Sequence, residues 1–298
     1  MFWLVATVTF FLMHSTPGSP WDARNAANGG RLSPLLRESF ERRYGLNRSL
    51  PEQYLIYLGN AVRLDFGESY TQQGQTVAER IMLGFPYSAR IGLFALILAV
   101  VLGVPLGVVA ALRQNTWVDY VSLFFATIGA TVPSFVIAIF LMILVAVKLE
   151  WVPVLWQIPT DWRNYILPSV VLGLAASAFI ARLTRANILE ILRQDYVRTA
   201  RAKGLQNSTV NLRHVLRNGM IPVVTILGPA LAGLITGTII IENVFGVPGM
   251  GYLFIQSVQG RDYPVIMGTT LFYTFFVVIG NLMVDITYGL LDPRIQTS

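Results

Sequence analysis

The sequence predicts an all-α polytopic membrane protein with six transmembrane helices, the first of them short. Three observations lead there. Hydrophobic residues make up 54% of the 298 and charged residues 13%, with a mean hydropathy of +0.58. A soluble domain of this length has about a quarter of its residues charged. The apolar residues are also gathered into blocks: residues 91–112, 120–147, 218–241 and 263–284 each lack a charged side chain, and about 20 helical residues cross a bilayer core. Finally, the basic residues are divided unevenly among the short segments that join the blocks.

Residues 1–13, within a partial first span over 1–14, are apolar but too short for a comfortable span, and no Lys or Arg precedes them. The run leads into Ser15-Thr16-Pro17-Gly18-Ser19-Pro20 and not into a small-residue cleavage site, so it reads as the outer part of a first span. Residues 15–86 are the sizeable aqueous segment. Leu35, Leu36 and Phe40 are spaced for one face of a helix over 34–44, and Tyr54, Leu55 and Leu58 for one over 51–64. A small helical cap is expected there, not an independent enzyme domain.

Residues 87–298 form a five-span core. Gly103 with Gly107, and Gly233 with Gly237, have the GxxxG spacing that lets backbones approach closely. Pro133 lies midway in the run 120–147, where a missing backbone hydrogen bond bends or breaks a helix. Residues 164–181 make a shorter block containing Pro168, read as a span because Arg163 and Arg182 bound it. Beyond 241, residues 242–252 hold three glycines and Pro248 among apolar side chains. That stretch is expected not to hold a regular helix and is too apolar for a solvated linker, which suggests a partly re-entrant segment near the outer mouth. Pro133, Ser134, Glu242, Asn243, Phe245, Pro248 and Gly249 are accordingly candidate gate or pore-lining residues, with plain structural packing as the other reading.

An even number of spans puts both termini on one side. With residues 182–217 inside, the short inner segments hold Arg113, Arg182, Arg185, Arg193, Arg198, Arg201, Lys203, Arg213, Arg217 and Arg294, ten in all, against Lys148, Arg163 and Arg261, three, outside. Positive charge favours the cytoplasmic side in short segments, so the basic loop and the C-terminus are expected in the cytoplasm. The isoelectric point near 9.7 is then topology, not a nucleic-acid footprint, because acidic residues offset the basic ones of the long outer segment. Cysteine is absent, which removes disulfides and thiol chemistry.

No engine is visible. A P-loop needs Gly-Lys followed by Ser or Thr, yet the lysines are Lys148, after Val147, and Lys203, before Gly204. Ion coupling would place ionisable residues inside spans, and the interior spans offer Asp285 at an inner interface. His14 and His214 are far apart and make no metal motif. A passage driven from outside is what remains.

The basic loop reads as two short helices. Asp195 is placed to cap the first, residues 196–203 supply two turns and Gly204 suits its C-terminal end. Ala200 and Ala202 alternate with Arg198, Arg201 and Lys203, so the helix could enter a groove while its cations meet acidic or backbone partners; lying on anionic lipid headgroups is the alternative. Ser208 is placed to cap the second, with Leu212, Val215 and Leu216 on one face and Gly219 closing it before Pro222.

Asp195-Tyr196-Val197-Arg198-Thr199-Ala200-Arg201-Ala202-Lys203-Gly204-Leu205, followed by Arg213-His214-Val215-Leu216-Arg217-Asn218 and Ile221-Pro222-Val223-Val224, resembles the cytoplasmic signature of dipeptide and oligopeptide ABC importer permeases. The likeness continues through Pro17-Gly18-Ser19-Pro20, Arg43-Tyr44-Gly45-Leu46, Asp65-Phe66-Gly67-Glu68-Ser69, Pro133-Ser134-Phe135, residues 242–251, Arg261-Asp262-Tyr263-Pro264 and Leu291-Asp292-Pro293-Arg294. The long outer segment is similar to that of the B-type subunit. Where the general importer loop has Glu-Ala-Ala, this chain has Arg198, Thr199 and Ala200, a form usual in the peptide branch. Relatives also begin with an arginine-bearing cytoplasmic start and a complete first span, so this start is either misassigned or the span truncated.

The resemblance implies a type I ABC importer permease fold in a bacterial or archaeal cell membrane. It implies a homologous second permease subunit, two cytoplasmic ATPases that hold ATP and Mg, an extracytoplasmic solute-binding protein and surrounding lipid. No cofactor is expected in this chain, and no nucleic acid. Asp195, Tyr196, Arg198, Thr199, Ala200, Arg201, Ala202, Lys203 and Gly204 would be the ATPase-coupling residues. Peptides are the implied cargo, with nickel, glutathione or oligosaccharides as the alternative. An autonomous secondary transporter and a membrane anchor for nucleic acid or signalling partners are the competing classes.

Overall fold

The computed structural model describes residues 1–27, 33–72, 74–157, 160–236 and 238–291. The helices are α1 Phe2–Ser15, α2 Pro20–Ala27, α3 Pro34–Arg43, α4 Leu50–Val62, α5 Val77–Leu112, α6 Trp117–Thr131, α7 Ser134–Lys148, α8 Trp162–Leu192, α9 Asp195–Ala202, α10 Asn207–Gly219, α11 Ile221–Ile235, α12 Ile239–Phe245, α13 Met250–Gln259 and α14 Tyr263–Leu291. Among the described residues there is no strand, only an isolated bridge between Glu68 and Thr76. The chain is an all-α polytopic membrane protein.

The helix α5, the helix α8 and residues Tyr263–Val284 of α14 are each long and apolar enough to cross a bilayer unbroken, and α6–α7, α10–α11 and α12–α13 qualify as broken pairs. That makes up to six spans, allotted differently from the sequence expectation. Helix α1, at 14 residues, is short of the length a bilayer core needs. Residues 242–252, expected not to hold a regular helix, are interrupted at Gly246 to Gly249, with the end of α12 before the break and the start of α13 after it.

Two compact units make up the chain, Met1–Tyr87 with Pro248–Val278, and Ser88–Val247 with Ile279–Ser298. In the first, Ser33 and Ser49 stand at the N-termini of α3 and α4. Ser33 accepts from the Leu36 N–H at 3.4 Å and the Ser49 N–H donates to the Glu52 carboxylate at 3.2 Å, satisfying amides that a helix start leaves open. The inward faces are aromatic. Phe40 is buried beside Trp21 and Tyr70, with ring centroids 5.8 and 5.7 Å away. Phe10 is 2% exposed, stacked on His14 at 4.1 Å and against Tyr54 at 5.3 Å. Leu35 and Leu36, spaced to share a face with Phe40, and Leu55, spaced to share one with Tyr54, are exposed. A 3.6-residue period finds a stripe but not which edge of it turns in, and here the larger rings claim the buried edge.

The same unit joins two sequence landmarks that are 193 residues apart. Asp262 is fully buried; its carboxylate accepts from the Ser69 hydroxyl at 2.5 Å, the Thr71 hydroxyl at 2.7 Å and the Tyr70 and Thr71 N–H groups at 3.0 and 3.1 Å, with Arg80 at 3.4 Å. A buried carboxylate is tolerable only when its lone pairs are this fully engaged. Arg261, the neighbouring residue, donates to the Pro17 carbonyl, so three of the quoted outer motifs are held together here.

In the second unit, the GxxxG pair marks a close helix crossing. A methyl carbon placed on Gly103 would lie 2.8 Å from the Ser177 carbonyl oxygen and one on Gly107 2.5 Å from that of Ala181, so α5 meets the α8 backbone where only glycine fits. The second pair does not repeat this: Gly233 faces open space, and Gly237 lies outside the described residues. At Pro133 the axis turns by 102° between α6 and α7, because proline has no N–H to continue the ladder.

The span expected over 164–181 is the first part of α8, which continues as helix to Leu192. Arg182 and Arg185 therefore stand on a helix and not in a loop. Arg182 donates to the Ala126 carbonyl at 3.0 Å, and Arg185 makes a two-pronged pair with Asp119 at 2.6 and 2.7 Å. Asp119 is 1% exposed. The expectation that Asp285 is the ionisable residue of the interior spans is corrected by this pair and by Glu242, also 1% exposed; the Asp285 side chain lies outside the described residues.

Candidate functional site

Helix α9 carries the residues expected to couple to the ATPases, with Lys203 and Gly204 just beyond its end. Its start is Asp195 itself, and the capping position belongs to Gln194, which makes no side-chain cap bond. Asp195 instead sits in the first turn and Arg201 in the last, each at the helix end whose partial charge it complements. The C-terminal end is as expected. Gly204 has φ +79°, its N–H donates to the Arg201 carbonyl at 3.0 Å, and the Leu205 N–H reaches back to Ala200 at 3.4 Å. This paired closure needs a left-handed residue, which glycine supplies without strain.

One face of α9 is anchored. Val197 is 0% exposed and Ala200 7%, packed in a cluster with Ala111 of α5, Ile188 of α8 and Val210 and Val215 of α10. Val197 is not among the residues the sequence singles out, although its spacing of three from Ala200 is the signal that marks a buried helical edge. The opposite face holds Asp195, Tyr196, Arg198, Thr199, Arg201, Ala202, Lys203 and Gly204, all exposed. Arg198 lies 3.8 Å from Asp195 in a pair open to solvent, which contributes little. The Tyr196 hydroxyl accepts from the Asn218 side-chain amide at 3.0 Å, tying the tip back to α10.

Helix α10 differs from expectation in register. It starts at Asn207, so Ser208 lies inside the first turn, and residues Val210–Leu216 wind as a π-helix. The i→i+5 bonding of that turn brings residues five apart toward one line. Val210 and Val215 are thus both buried, while Leu212, expected on the inner face, is 65% exposed.

The candidate gate residues fall into three places. Pro133, exposed, and Ser134, half-buried, form the corner between α6 and α7. In α12, Glu242 and Phe245 are buried and Asn243 is half-buried. The Glu242 carboxylate accepts from Ser88 at 2.6 Å, the Phe245 carbonyl accepts from the Trp156 N–H at 2.9 Å, and Gly246 with φ +66° ends the helix. Pro248 and Gly249 belong to the first unit, where a side chain on Gly84 would come 3.4 Å from the Gly249 backbone.

The arrangement offers a cationic edge on a helix whose other edge is packed into an apolar cluster. Residues 103–297 match the family described as the binding-protein-dependent transport system inner membrane component. The dipeptide transport system permease protein of Bacillus subtilis is 41% identical over 98% of this chain and 93% of its own length. The oligopeptide transport system permease proteins of Haemophilus influenzae and Escherichia coli are 40% and 38% identical, each over 98% of this chain and 94% of theirs. Among solved structures, the inward-facing MetNI methionine ABC transporter has a TM-score of 0.53 at 16% identity, covering 70% of this chain and 95% of that one. A histidine-bound amino acid ABC transporter gives 0.54 at 16%, covering 70% and 94%. The fold is that of the type I importer permeases.

Proposed function

This chain belongs to the binding-protein-dependent transport system inner membrane component family, and from that premise we propose that it forms half of the translocation pathway of an ATP-driven importer for di- and oligopeptides. The relatives above, alike over nearly their full length, support the peptide cargo. The other half is a homologous second permease, and a solute-binding protein delivers cargo from outside. ATP and Mg belong to two cytoplasmic ATPases that hydrolyse the nucleotide. The ten-to-three distribution of basic residues supports placing α9, α10 and the C-terminus in the cytoplasm.

The mechanism follows from how α9 is mounted. Closure of the ATPases on ATP displaces the exposed edge of α9. Because Val197 and Ala200 are locked into the cluster with α5, α8 and α10, the displacement passes into those helices instead of dissipating in a loop. Close-packed side chains transmit such shifts without yielding. Helix α8 is 31 residues long, a rod of about 45 Å, and carries motion from the cytoplasmic end toward the outer one. The helix corners at Pro133 and at Gly246–Gly249 are where the pathway alternates between outward and inward access.

The observation that carries this reading is the two-sided α9: a fully buried apolar edge and an exposed cationic one. Reversing the exposed edge tests it. The double variant Arg198→Glu, Arg201→Glu keeps the anchored face and is expected to insert normally, while capture of the ATPase subunits and peptide uptake fall at least about tenfold, since each hydrogen bond to a charged group is worth about 1.5–3 kcal/mol. Undiminished capture and uptake would sink the docking role.

A further inference from the structure

The first unit contains a cavity of about 460 Å³ that no step above uses; small-molecule sites are commonly about 300–1,000 Å³. Its floor is apolar. Phe10, Tyr263 and Met267 are buried there, and the Tyr57 ring stacks on Phe10 at 6.2 Å. The Tyr57 hydroxyl is buried without a hydrogen-bond partner. The lining also carries both signs of charge, with Arg43, Arg48 and Arg42, the last paired with Glu38, on one hand and Asp65 and Glu68 on the other.

These charges are available at little cost. Arg43 and Glu68 are joined at 2.6 Å, but the two side chains are 53% and 41% exposed, and an exposed pair is weak. A guanidinium has five N–H donors and a carboxylate about four acceptor sites, so each keeps capacity beyond that bond. No carboxylate lies within the 4.0 Å ion-pair distance of Arg48 among the described residues. Asp65 uses one oxygen on the Gly67 N–H at 3.1 Å. A purely anionic ligand would meet the repulsion of two carboxylates, and a purely cationic one that of the arginines.

We propose that this cavity is a binding site for the charged ends of a short peptide: Arg48 with Arg43 receives its carboxylate, Glu68 with Asp65 its ammonium, and the aromatic floor one apolar side chain. Both ends of a free peptide are ionised at neutral pH, so one molecule brings a partner for each sign of charge in the lining. The site would hold cargo on the permease itself, and it rests on the peptide reading above.

The test is binding of the dipeptide Ala-Phe to the full chain, assembled with its partner subunits in lipid nanodiscs and without the solute-binding protein. Arg48→Ala and removal of the peptide's carboxylate as an amide are each expected to weaken binding about tenfold, and together by no more than either alone, because both delete one contact. Glu68→Gln and N-acetylation of the peptide should show the same non-additivity. A folding defect would instead weaken every peptide alike and overturn the assignment, as would equal binding of free and doubly blocked peptide. Displacement by anionic phospholipid that is equal for free and amidated peptide would assign the arginines to a headgroup and overturn it too. Uptake of Ala-Phe by the complete importer is the separate arm. Uptake with no saturable binding removes this site alone, whereas no uptake of any short peptide removes the peptide reading and the site with it.

Discussion

Val197→Asp is expected to abolish uptake while leaving every exposed coupling residue in place. The side chain is fully buried among Ile188, Ala200, Val210 and Val215, where the cluster supplies no partner for a charge. Losing a buried valine contributes about 1.5–3 kcal/mol, and an unpaired buried carboxylate must be desolvated or protonated besides. The sum, about 4 kcal/mol or more, belongs to the largest class of single-residue effects. It falls on the contact between α9 and α8, so α9 separates from its mount instead of the whole chain unfolding. The expected signature is retained insertion, faster proteolysis between 193 and 208, and uptake at background. Val197→Ala should be intermediate, at about 2 kcal/mol, and Val197→Ile near wild type. Normal uptake by the aspartate variant would show that the buried edge is not the mount.

The second large effect concerns the ion pair behind the loop. Asp119→Ala leaves the Arg185 guanidinium, whose side chain is only 20% exposed, without its two-pronged partner. Breaking a buried pair from one side costs about 3–5 kcal/mol, whereas replacing both partners with apolar residues is often close to neutral. Thermal unfolding of the purified protein in detergent should therefore drop strongly for Asp119→Ala and recover in Asp119→Leu, Arg185→Leu. If both variants unfold alike, the pair contributes nothing beyond the space it fills. Because Asp119 opens α6 and Arg185 belongs to α8, the double variant also tests whether α6 must follow α8: stable protein with reduced uptake is the expected result.

What could be read from the sequence were the features that depend on neighbours along the chain. Uncharged length placed α5, α8 and α14, a missing N–H placed the corner at Pro133, and a glycine after two turns placed the end of α9. The Gly103–Gly107 spacing also led to a real helix crossing. The errors come from partners far away in sequence. Asp119 meets Arg185 across 66 residues and Asp262 meets Ser69 across 193, and periodicity carries no trace of either. A 3.6-residue period puts Leu212 on one face with Val215 and Leu216, but the π turn of α10 changes the period and pairs Val215 with Val210 instead. Asp195 is a residue type suited to capping, yet the chain enters α9 one residue earlier, at Gln194. Glu242 was grouped with possible gate residues by its glycine-rich surroundings; its burial against Ser88 depends on a helix 154 residues away.

On the proposed function, an external ATPase grips the pore at the exposed edge of α9. The absence of cysteine makes a direct measurement simple. Arg201→Cys on α9 and, as a control, Arg261→Cys are each combined with single cysteines on the groove of the ATPase subunit, and cross-linking is followed by oxidation in membranes. A disulfide forms only when the two Cα atoms come within about 7 Å. The account predicts a permease–ATPase adduct from position 201, uptake arrested on oxidation and restored by reduction, and no adduct from position 261. Cross-linking no stronger at 201 than at 261, in a complex that still imports peptide, would contradict it.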